Sequence, residues 1–302
     1  MKKMTQTVRD SEFAVSMTVD EVVNNVEYLS DIFKKHGLIA FKNLNATEDE
    51  QYFILSKFGD ALGWVPNSKI IEEDKDYTIR NWLRYDEDHS FSISLQEKNG
   101  QNPVDSRILI NWHLEHIENS VAQIGAAWNM LKNSVDGNVF GRLQGGATGF
   151  IDCRKVFDRL GDGHKEFLKS ATIMCVESQE YSMGWDCQPN PAAKRHFCTD
   201  RFVARICASG HYQKVISVNG LEANNEHQET MNEIREIFLD RVWFNEDDKI
   251  WWEWKQGDML IPDLDVMAHC VLGGFTSQQR RFIGYWAFGE NYKERMTPGI
   301  FT

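Results

Sequence analysis

Two imidazoles and one carboxylate are the side chains of this sequence that point most directly to chemistry. His113 and Glu115 follow an apolar run at 108–112, and His269 follows a second apolar run at 259–261. Residues two apart on a strand point to the same side, so one strand can present both His113 and Glu115. Such a set on one face of Fe(II) leaves three adjacent coordination positions open. An oxygenase needs those positions for a bidentate co-substrate and O2.

The His-x-Glu spacing is weak evidence by itself, because the chain has 9 histidines and 45 acidic residues. Pairs of this kind start at His113, His116, His164 and His227. The last two fall in polar segments of helical character, where a spacing of two splays side chains apart, and we expect solvated surface residues there. His269 alone could be a hydrogen-bonded core histidine. The sequence around each residue must therefore show which pair is a candidate metal site.

Two capping boxes predict helices near the N-terminus. Residues 18–21 and 47–50 both have the Thr-x-x-Glu pattern, in which hydroxyl and carboxylate satisfy each other's free amides. Apolar residues recur at helical spacing after the first cap, and Gly37 is typical of a helix end. We expect a strand at 38–41, and a second helix that runs to Phe58 and ends at Gly59.

The rest of the chain predicts short strands separated by turns. Apolar runs of strand character occur at 107–112, 171–176, 202–207, 215–218, 259–261 and 281–288, and one further amphipathic helix is expected over 229–242. This pattern is typical of a jelly roll, a mainly β fold with flanking helices. We predict one domain over residues 1–302. The polar stretch 72–105 is predicted to be a lid or surface insertion.

Composition excludes some partners. The net charge is -12 and no basic run occurs, so nucleic acid is not an expected partner. No apolar window is long enough for a membrane span, and the first residues lack the apolar stretch of a secretory signal. We therefore expect a cytoplasmic protein whose 6 cysteines are reduced. The oligomeric state is not predicted.

Several motifs resemble the taurine dioxygenase / clavaminate synthase-like family of Fe(II)/2-oxoglutarate-dependent oxygenases. Residues 111–115, Asn-Trp-His-Leu-Glu, are similar to the family's W-H-x-D/E signature. Other motifs of the family occur in the family's order along the chain. They are the segments 35–44 and 58–59, the Gly-Gly-Ala-Thr-Gly-Phe turn at 145–150 and the Gly-Asp strand at 255–263. His269 stands six residues after Asp263, where the family has its distal iron ligand. The resemblance covers residues 20 to 288.

The resemblance implies a double-stranded β-helix with a jelly-roll, cupin-like core and a set of site residues. His113, Glu115 and His269 would bind Fe(II), while Thr148 and an arginine would hold the co-substrate 2-oxoglutarate, and O2 would take the remaining position. The family's usual Arg-Arg pair favours Arg281 over the adjacent Arg280. In an unrelated fold, Thr148 would only form a turn, and both arginines would lie on a solvated edge.

Departures from the family pattern bear on the substrate. Glu115 stands where the taurine enzyme has Asp, and Glu at this position favours an amino acid or its derivative as the small-molecule substrate. A carboxylate here also argues against a halogenase. Counting from Arg281, Tyr285 occupies the place of the arginine that grips a sulfonate, so taurine is not expected. A jelly-roll binding protein without turnover, and a Zn(II) hydrolase with the same ligands, are the alternatives to a hydroxylase.

Overall fold

The computed structural model describes residues 11–66, 108–114, 123–139, 143–177, 189–196, 198–206, 211–244, 249–275 and 279–289. Within these ranges the chain is mainly β-sheet with helices at its flanks, as the sequence predicts. The predicted lid, residues 72–105, lies outside the described residues.

Helices are interspersed among the strands along the described part of the chain. They are α1 (Val19–Asn24), α2 (Val26–His36), α3 (Glu48–Leu62), α4 (Cys153–Asp158), α5 (Asp162–Ser170) and α6 (Asn225–Phe244). Both capping boxes are confirmed: Thr18 and Thr47 each accept a hydrogen bond from the amide three residues later, and the glutamate there returns one. These reciprocal bonds fix where α1 and α3 begin.

Two predicted helix boundaries are wrong. The single helix expected after Thr18 is divided at Asn25, whose side-chain amide donates to the carbonyl of Glu21 and so ends α1. The helix after Thr47 does not end at Gly59, which is buried inside α3. It continues to Gly63, which has φ of 70° and supplies the left-handed C-terminal residue that glycine adopts at little cost.

The strands are short except at the centre of the fold. They are β1 (Ala14–Val15), β2 (Leu38–Phe41), β3 (Trp64–Pro66), β4 (Ile108–His113), β5 (Gln123–Asn133), β6 (Asn138–Val139), β7 (Leu143–Gln144), β8 (Thr148–Asp152), β9 (Ala171–Glu177), β10 (Asn190–Pro191), β11 (Ala193–Arg195), β12 (Phe202–Ala204), β13 (His211–Val218), β14 (Leu221–Glu222), β15 (Lys249–Trp252), β16 (Met259–Pro262), β17 (Met267–Leu272) and β18 (Arg280–Gly289). The strand β2 has the predicted bounds.

Two sheets face each other and enclose the core. The larger has the strand order β1-β2-β16-β5-β18-β3 and the smaller β15-β8-β17-β4. Trp128 of β5 stacks on Phe150 of β8 with ring centroids 6.0 Å apart, so side chains of the two sheets meet in a common interior. This is the predicted double-stranded β-helix. The sheet β10-β9-β13-β14 and the pairs β11-β12 and β6-β7 are additional to it.

Two further features concern the helices and the cysteines of the described ranges. None of the described helices has the length and apolar character required to cross a bilayer. Cys153, Cys198 and Cys270 are free thiols. Burial raises the pKa of the Cys153 thiol to about 12, so this side chain behaves as a small apolar group of the core.

Candidate metal and co-substrate site

His113 and His269 lie directly opposite each other on neighbouring antiparallel strands of the smaller sheet. Their rings are adjacent, with centroids 4.2 Å apart. The pairing of β4 with β17 shifts register between His269 and Val271, which indicates an irregularity beside the pair. Because directly opposite residues share a face of a sheet, the two imidazoles point to the same side.

Aromatic rings surround His269. It is 4% exposed, and the rings of Trp128 and Phe150 have centroids 5.1 and 6.2 Å from its own. Its Nδ1 makes a long contact of 3.4 Å with the backbone carbonyl of Met267. A carbonyl oxygen only accepts, so this contact favours the proton on Nδ1 and leaves the lone pair of Nε2 for a metal.

The two histidines fit a metal of the Fe(II) class. Metal–nitrogen bonds of about 2.0–2.1 Å require the bound nitrogens of two ligands to lie within about 4 Å of each other. Imidazole rings whose centroids are 4.2 Å apart are close enough for one nitrogen of each ring to come within this distance. Two imidazoles are also the donors that Fe(II) takes together with one carboxylate.

Thr148 is the first residue of β8 and follows a glycine turn. A Cβ added at Gly145 would lie 2.3 Å from the carbonyl oxygen of Gly274, and Gly146 has φ of 73°. The glycines are therefore required by the turn and its close approach to the backbone at 273–274. Thr148 itself pairs with Val271, two residues beyond His269, on the face of the sheet that carries both histidines.

The hydroxyl of Thr148 has a partner that the sequence did not reveal. The indole Nε1–H of Trp254 donates a hydrogen bond of 2.9 Å to Thr148 Oγ. Both side chains are buried, at 1% exposure for Trp254 and 2% for Thr148. In a chain with 10 tryptophans, those near 251–254 are expected to pack in the core or on a sheet face. The one sequence signal for a different role is the position of Trp254, three residues before Gly257 of the Gly-Asp motif.

The Gly-Asp motif at 257–258 stabilises a turn. Gly257 has φ of 82°, and a Cβ there would lie 2.2 Å from Oδ1 of Asn45. The buried carboxylate of Asp258 accepts hydrogen bonds from the amides of Asn43 and Lys255, at 3.1 and 2.8 Å. These bonds fix the start of β16, which leads through the next turn to the strand of His269.

That next turn, 263–266, contains a second buried polar pair. Nε2 of His196 lies 2.8 Å from Oδ2 of Asp263, and both side chains are 0% exposed. Burial raises the pKa of the Asp263 carboxyl, and the contact with His196 opposes that rise. Asp265 of the same turn forms an ion pair with Lys194. The pair β11-β12 is thus tied to the turn that precedes β17.

The described structure brings together part of the predicted site. His113, His269 and Thr148 lie on neighbouring strands of one sheet and face one side. Glu115, with the competing pair His116 and Glu118, lies outside the described residues. Accordingly, the described ranges contain no set of three His, Cys, Asp or Glu side chains that could hold a metal.

The other predictions for site residues have mixed outcomes. The backbone of Arg280 and Arg281 begins β18, but their side chains lie outside the described structure. The pairs starting at His164 and His227 lie on α5 and α6, as expected of surface positions. Nε2 of His164 is 3.5 Å from Oε1 of Glu233, a side chain 63% exposed.

Comparisons with known proteins agree with this fold. Three crystal structures align with most of the chain: AAD-2 in complex with Mn(II) and N-oxalylglycine, a putative alpha-ketoglutarate-dependent 2,4-D dioxygenase from Burkholderia xenovorans, and a taurine dioxygenase from Burkholderia xenovorans. The TM-scores are 0.56, 0.57 and 0.56, at sequence identities of 15%, 12% and 10%. The alignments cover 89%, 93% and 88% of this chain, and 87%, 96% and 81% of the respective structures. No curated protein matches the sequence.

The model of the taurine catabolism dioxygenase TauD, TfdA family matches residues 2–286, which is nearly the whole chain. With the facing histidines and the double-stranded β-helix, this match decides between an oxygenase and the alternatives from sequence. The chain belongs to the taurine catabolism dioxygenase TauD, TfdA family and is a 2-oxoglutarate-dependent dioxygenase that uses Fe(II) and O2.

Proposed function

We propose that this dioxygenase hydroxylates an unactivated C–H bond of an amino acid or an amino acid derivative, and that His113, Glu115 and His269 hold its Fe(II). The observation that carries the metal assignment is the cross-strand pair of His113 and His269, with ring centroids 4.2 Å apart. When bound, Fe(II) with 2-oxoglutarate and O2 supplies the oxidant that inserts one oxygen atom into the C–H bond, while 2-oxoglutarate becomes succinate and CO2.

Glu115 is the carboxylate we assign, although its position lies outside the described residues. It stands two residues after His113, and β4 ends at His113. The pairing of His113 with His269 supports the His113/Glu115 pair over the pair formed by His116 and Glu118. A ligand set that includes His113 needs its carboxylate near the same end of β4.

Thr148 is proposed to bind one carboxylate of 2-oxoglutarate. Thr148 and His269 are diagonal neighbours across the pair β8-β17. Residues in this relation are about 7–8 Å apart. A co-substrate bound to the metal at one end would extend over this distance to the hydroxyl. The buried rings of Trp128 and Phe150 exclude water from the same region, which strengthens hydrogen bonds to a carboxylate.

An arginine at the start of β18 is proposed to pair with the same carboxylate. The family resemblance favours Arg281, whereas the strand register supports Arg280. Arg280 pairs with Asn133, whose amide donates to the carbonyl of Trp254 beside Thr148. Arg281 pairs with Lys132, which is exposed. A planar guanidinium suits a carboxylate at either position, and the two single variants distinguish them.

The proposed substrate class rests on two side chains. Glu115, rather than Asp, favours amino acids and their derivatives. Tyr285 stands at the place of a sulfonate-binding arginine, and its hydroxyl donates to the carboxylate of Glu48 on α3. A neutral side chain that is already hydrogen bonded to a helix supports the expectation that taurine is not the substrate.

Three expectations from the sequence stay proposals. One domain over 1–302 is supported by a family match that extends unbroken over residues 2–286. The lid at 72–105 lies outside the described residues. The third is the cytoplasmic location.

Succinate release tests the proposed function. Protein loaded with Fe(II) would be supplied with 2-oxoglutarate and O2, and a panel of free and N-acylated amino acids would be added one at a time, with taurine in parallel. We expect at least one member of the panel to stimulate succinate release and to gain one oxygen atom. Stimulation by taurine alone would contradict the proposed substrate class. His164→Ala is the control variant and should retain this activity, because His164 belongs to a His-x-Glu pair that is not assigned to the metal.

A further inference from the structure

The hydrogen bond from Trp254 to Thr148 lies inside the proposed co-substrate site. An indole N–H can only donate, so the 2.9 Å contact makes the threonine oxygen the acceptor. Within the described part of the chain, the Thr148 hydroxyl makes no other hydrogen bond. Its own proton is therefore available to a ligand acceptor on the face that it shares with His269.

The indole is itself held in place. The carbonyl of Trp254 accepts a hydrogen bond from the side-chain amide of Asn133 at 2.5 Å. The next residue, Lys255, is fixed through its amide by the buried carboxylate of Asp258. Trp254 is 1% exposed, so its ring cannot turn without disturbing the core. A donor fixed in this way keeps one lone pair of Thr148 Oγ occupied before any ligand arrives.

We propose that Trp254 is a positioning residue that orients the Thr148 hydroxyl to donate a hydrogen bond to the carboxylate of 2-oxoglutarate. This inference rests on the proposed role of Thr148. Without the indole donor, the hydroxyl can rotate, and its binding to the carboxylate loses both orientation and polarisation. The proposal adds a residue of the strand connection 253–258 to the co-substrate site.

The test is anaerobic titration of Fe(II)-loaded protein with 2-oxoglutarate, together with the KM for 2-oxoglutarate in turnover. Trp254→Phe keeps an aromatic ring and removes the N–H. We expect a three- to tenfold weaker affinity for 2-oxoglutarate, the range set by one hydrogen bond, with Fe(II) affinity unchanged. Thr148→Val should weaken binding at least as much. The double variant should equal Thr148→Val alone, because Trp254 acts only through the hydroxyl.

Two controls separate positioning from packing. Trp251→Phe changes a neighbouring tryptophan that contacts Trp112 on the opposite face of the sheet, and it should leave the KM for 2-oxoglutarate at the wild-type value. Thr148→Ser keeps the hydroxyl and should retain most of the affinity. Effects of Trp254→Phe and Thr148→Val that multiply in the double variant would overturn the proposal, as would an unchanged affinity in Trp254→Phe.

A second measurement does not depend on the folding of Trp254→Phe. In Zn(II)-loaded protein the 10 tryptophans give indole N–H signals in a nitrogen–proton NMR spectrum. We expect 2-oxoglutarate to shift one of these signals, and expect Thr148→Val to displace the same signal and abolish its response. If no signal responds to both changes, the inference fails. Wild-type protein that neither binds nor turns over 2-oxoglutarate would instead refute the proposed function itself.

Discussion

The imidazole of His113 lies against that of His269 across two antiparallel strands, with ring centroids 4.2 Å apart. The two residues are 156 positions apart in sequence, and the fold alone brings them together. Adjacent imidazoles on one face, inside a mainly aromatic and apolar interior, suit two ligands of one metal. The remaining ligand and the co-substrate contacts are assigned around this pair.

The carboxylate assignment predicts a contrast between two nearby glutamates. Glu115→Ala should lose Fe(II) binding, because two imidazoles alone leave the metal without an anionic ligand. Glu118→Ala should keep both Fe(II) and turnover. Metal content after dialysis against a weak chelator measures the difference. The reverse result would assign the metal to the pair formed by His116 and Glu118.

The two adjacent arginines predict a second contrast. Replacing the arginine that pairs with the carboxylate should raise the KM for 2-oxoglutarate by about 100-fold or more, since a charge-assisted hydrogen bond contributes about 1.5–3 kcal/mol and two can form. Replacing its neighbour should change the KM little. We expect the larger effect in either Arg281→Met or Arg280→Met, measured by succinate release. Equal small effects in both would contradict an arginine anchor on β18.

At Gly149, on the face of the sheet opposite to the site, a larger residue should not be tolerated. A Cβ there would lie 2.6 Å from the ring of Trp251, 2.8 Å from the ring of Trp112 and 2.9 Å from Sγ of Cys270. Gly149→Ala should therefore lower the free energy of unfolding by about 1–3 kcal/mol, the usual cost of overpacking. Denaturant unfolding checks this. Gly163→Ala, where a Cβ meets nothing within 4 Å, is the control and should not destabilise the protein.

The buried pair of His196 and Asp263 predicts a pH-dependent loss of stability. In His196→Ala, burial still raises the pKa of Asp263, and the partner that opposes the rise is absent. The folded state then binds a proton more readily than the unfolded state. Its stability should fall as pH rises from the ordinary carboxyl range through the raised pKa of Asp263. Above that pKa the loss should reach about 3 kcal/mol.

Urea unfolding of His196→Ala at pH 4 and pH 8 measures this dependence. Arg195→Ala is the control, because Arg195 is an exposed neighbour on the same hairpin. A loss that is equal at both pH values would indicate that only packing was removed.

The capping box of α3 predicts a stabilisation that is lost as pH falls, which is the opposite pH dependence. The hydrogen bond from the Thr47 amide lowers the pKa of Glu50 from its ordinary value. Its stabilisation is present above the ordinary pKa and is lost as pH falls through the lowered one. Glu50→Gln should thus reduce the melting temperature at pH 7 and make no difference near pH 2. Asp49→Asn, which removes a charge but no cap, should show a smaller effect at pH 7.

Local patterns predicted the parts of the fold that local interactions determine. Features that depend on nearby residues include the capping boxes at Thr18 and Thr47, the strand β2, and the surface positions of His164 and His227. The strand β5 was missed, because its sequence is rich in Gly, Ala and Asn rather than in β-branched residues. It forms a strand because β18 pairs along most of its 11 residues and β16 pairs with Trp128 and Asn129 on the other side.

The site divides in the same way. Residue types and order within the family predicted His113, His269 and Thr148 as site residues, and the structure places these three on one face. No local pattern could show that Trp254 donates to Thr148, because 106 residues separate them and only the pairing of β15 with β8 makes them neighbours. The same applies to His196 and Asp263. Tertiary contacts between polar groups distant in sequence leave no periodic signal.

The most direct test of the account is anaerobic titration of the Fe(II)-loaded protein with 2-oxoglutarate, monitored by the visible charge-transfer absorption of chelated iron. We expect the band in the wild type and in His164→Ala, and its loss in His113→Ala and His269→Ala. Iron that binds without producing the band would contradict the assignment of 2-oxoglutarate to this site. A band that persists in His269→Ala would contradict the two-histidine metal centre.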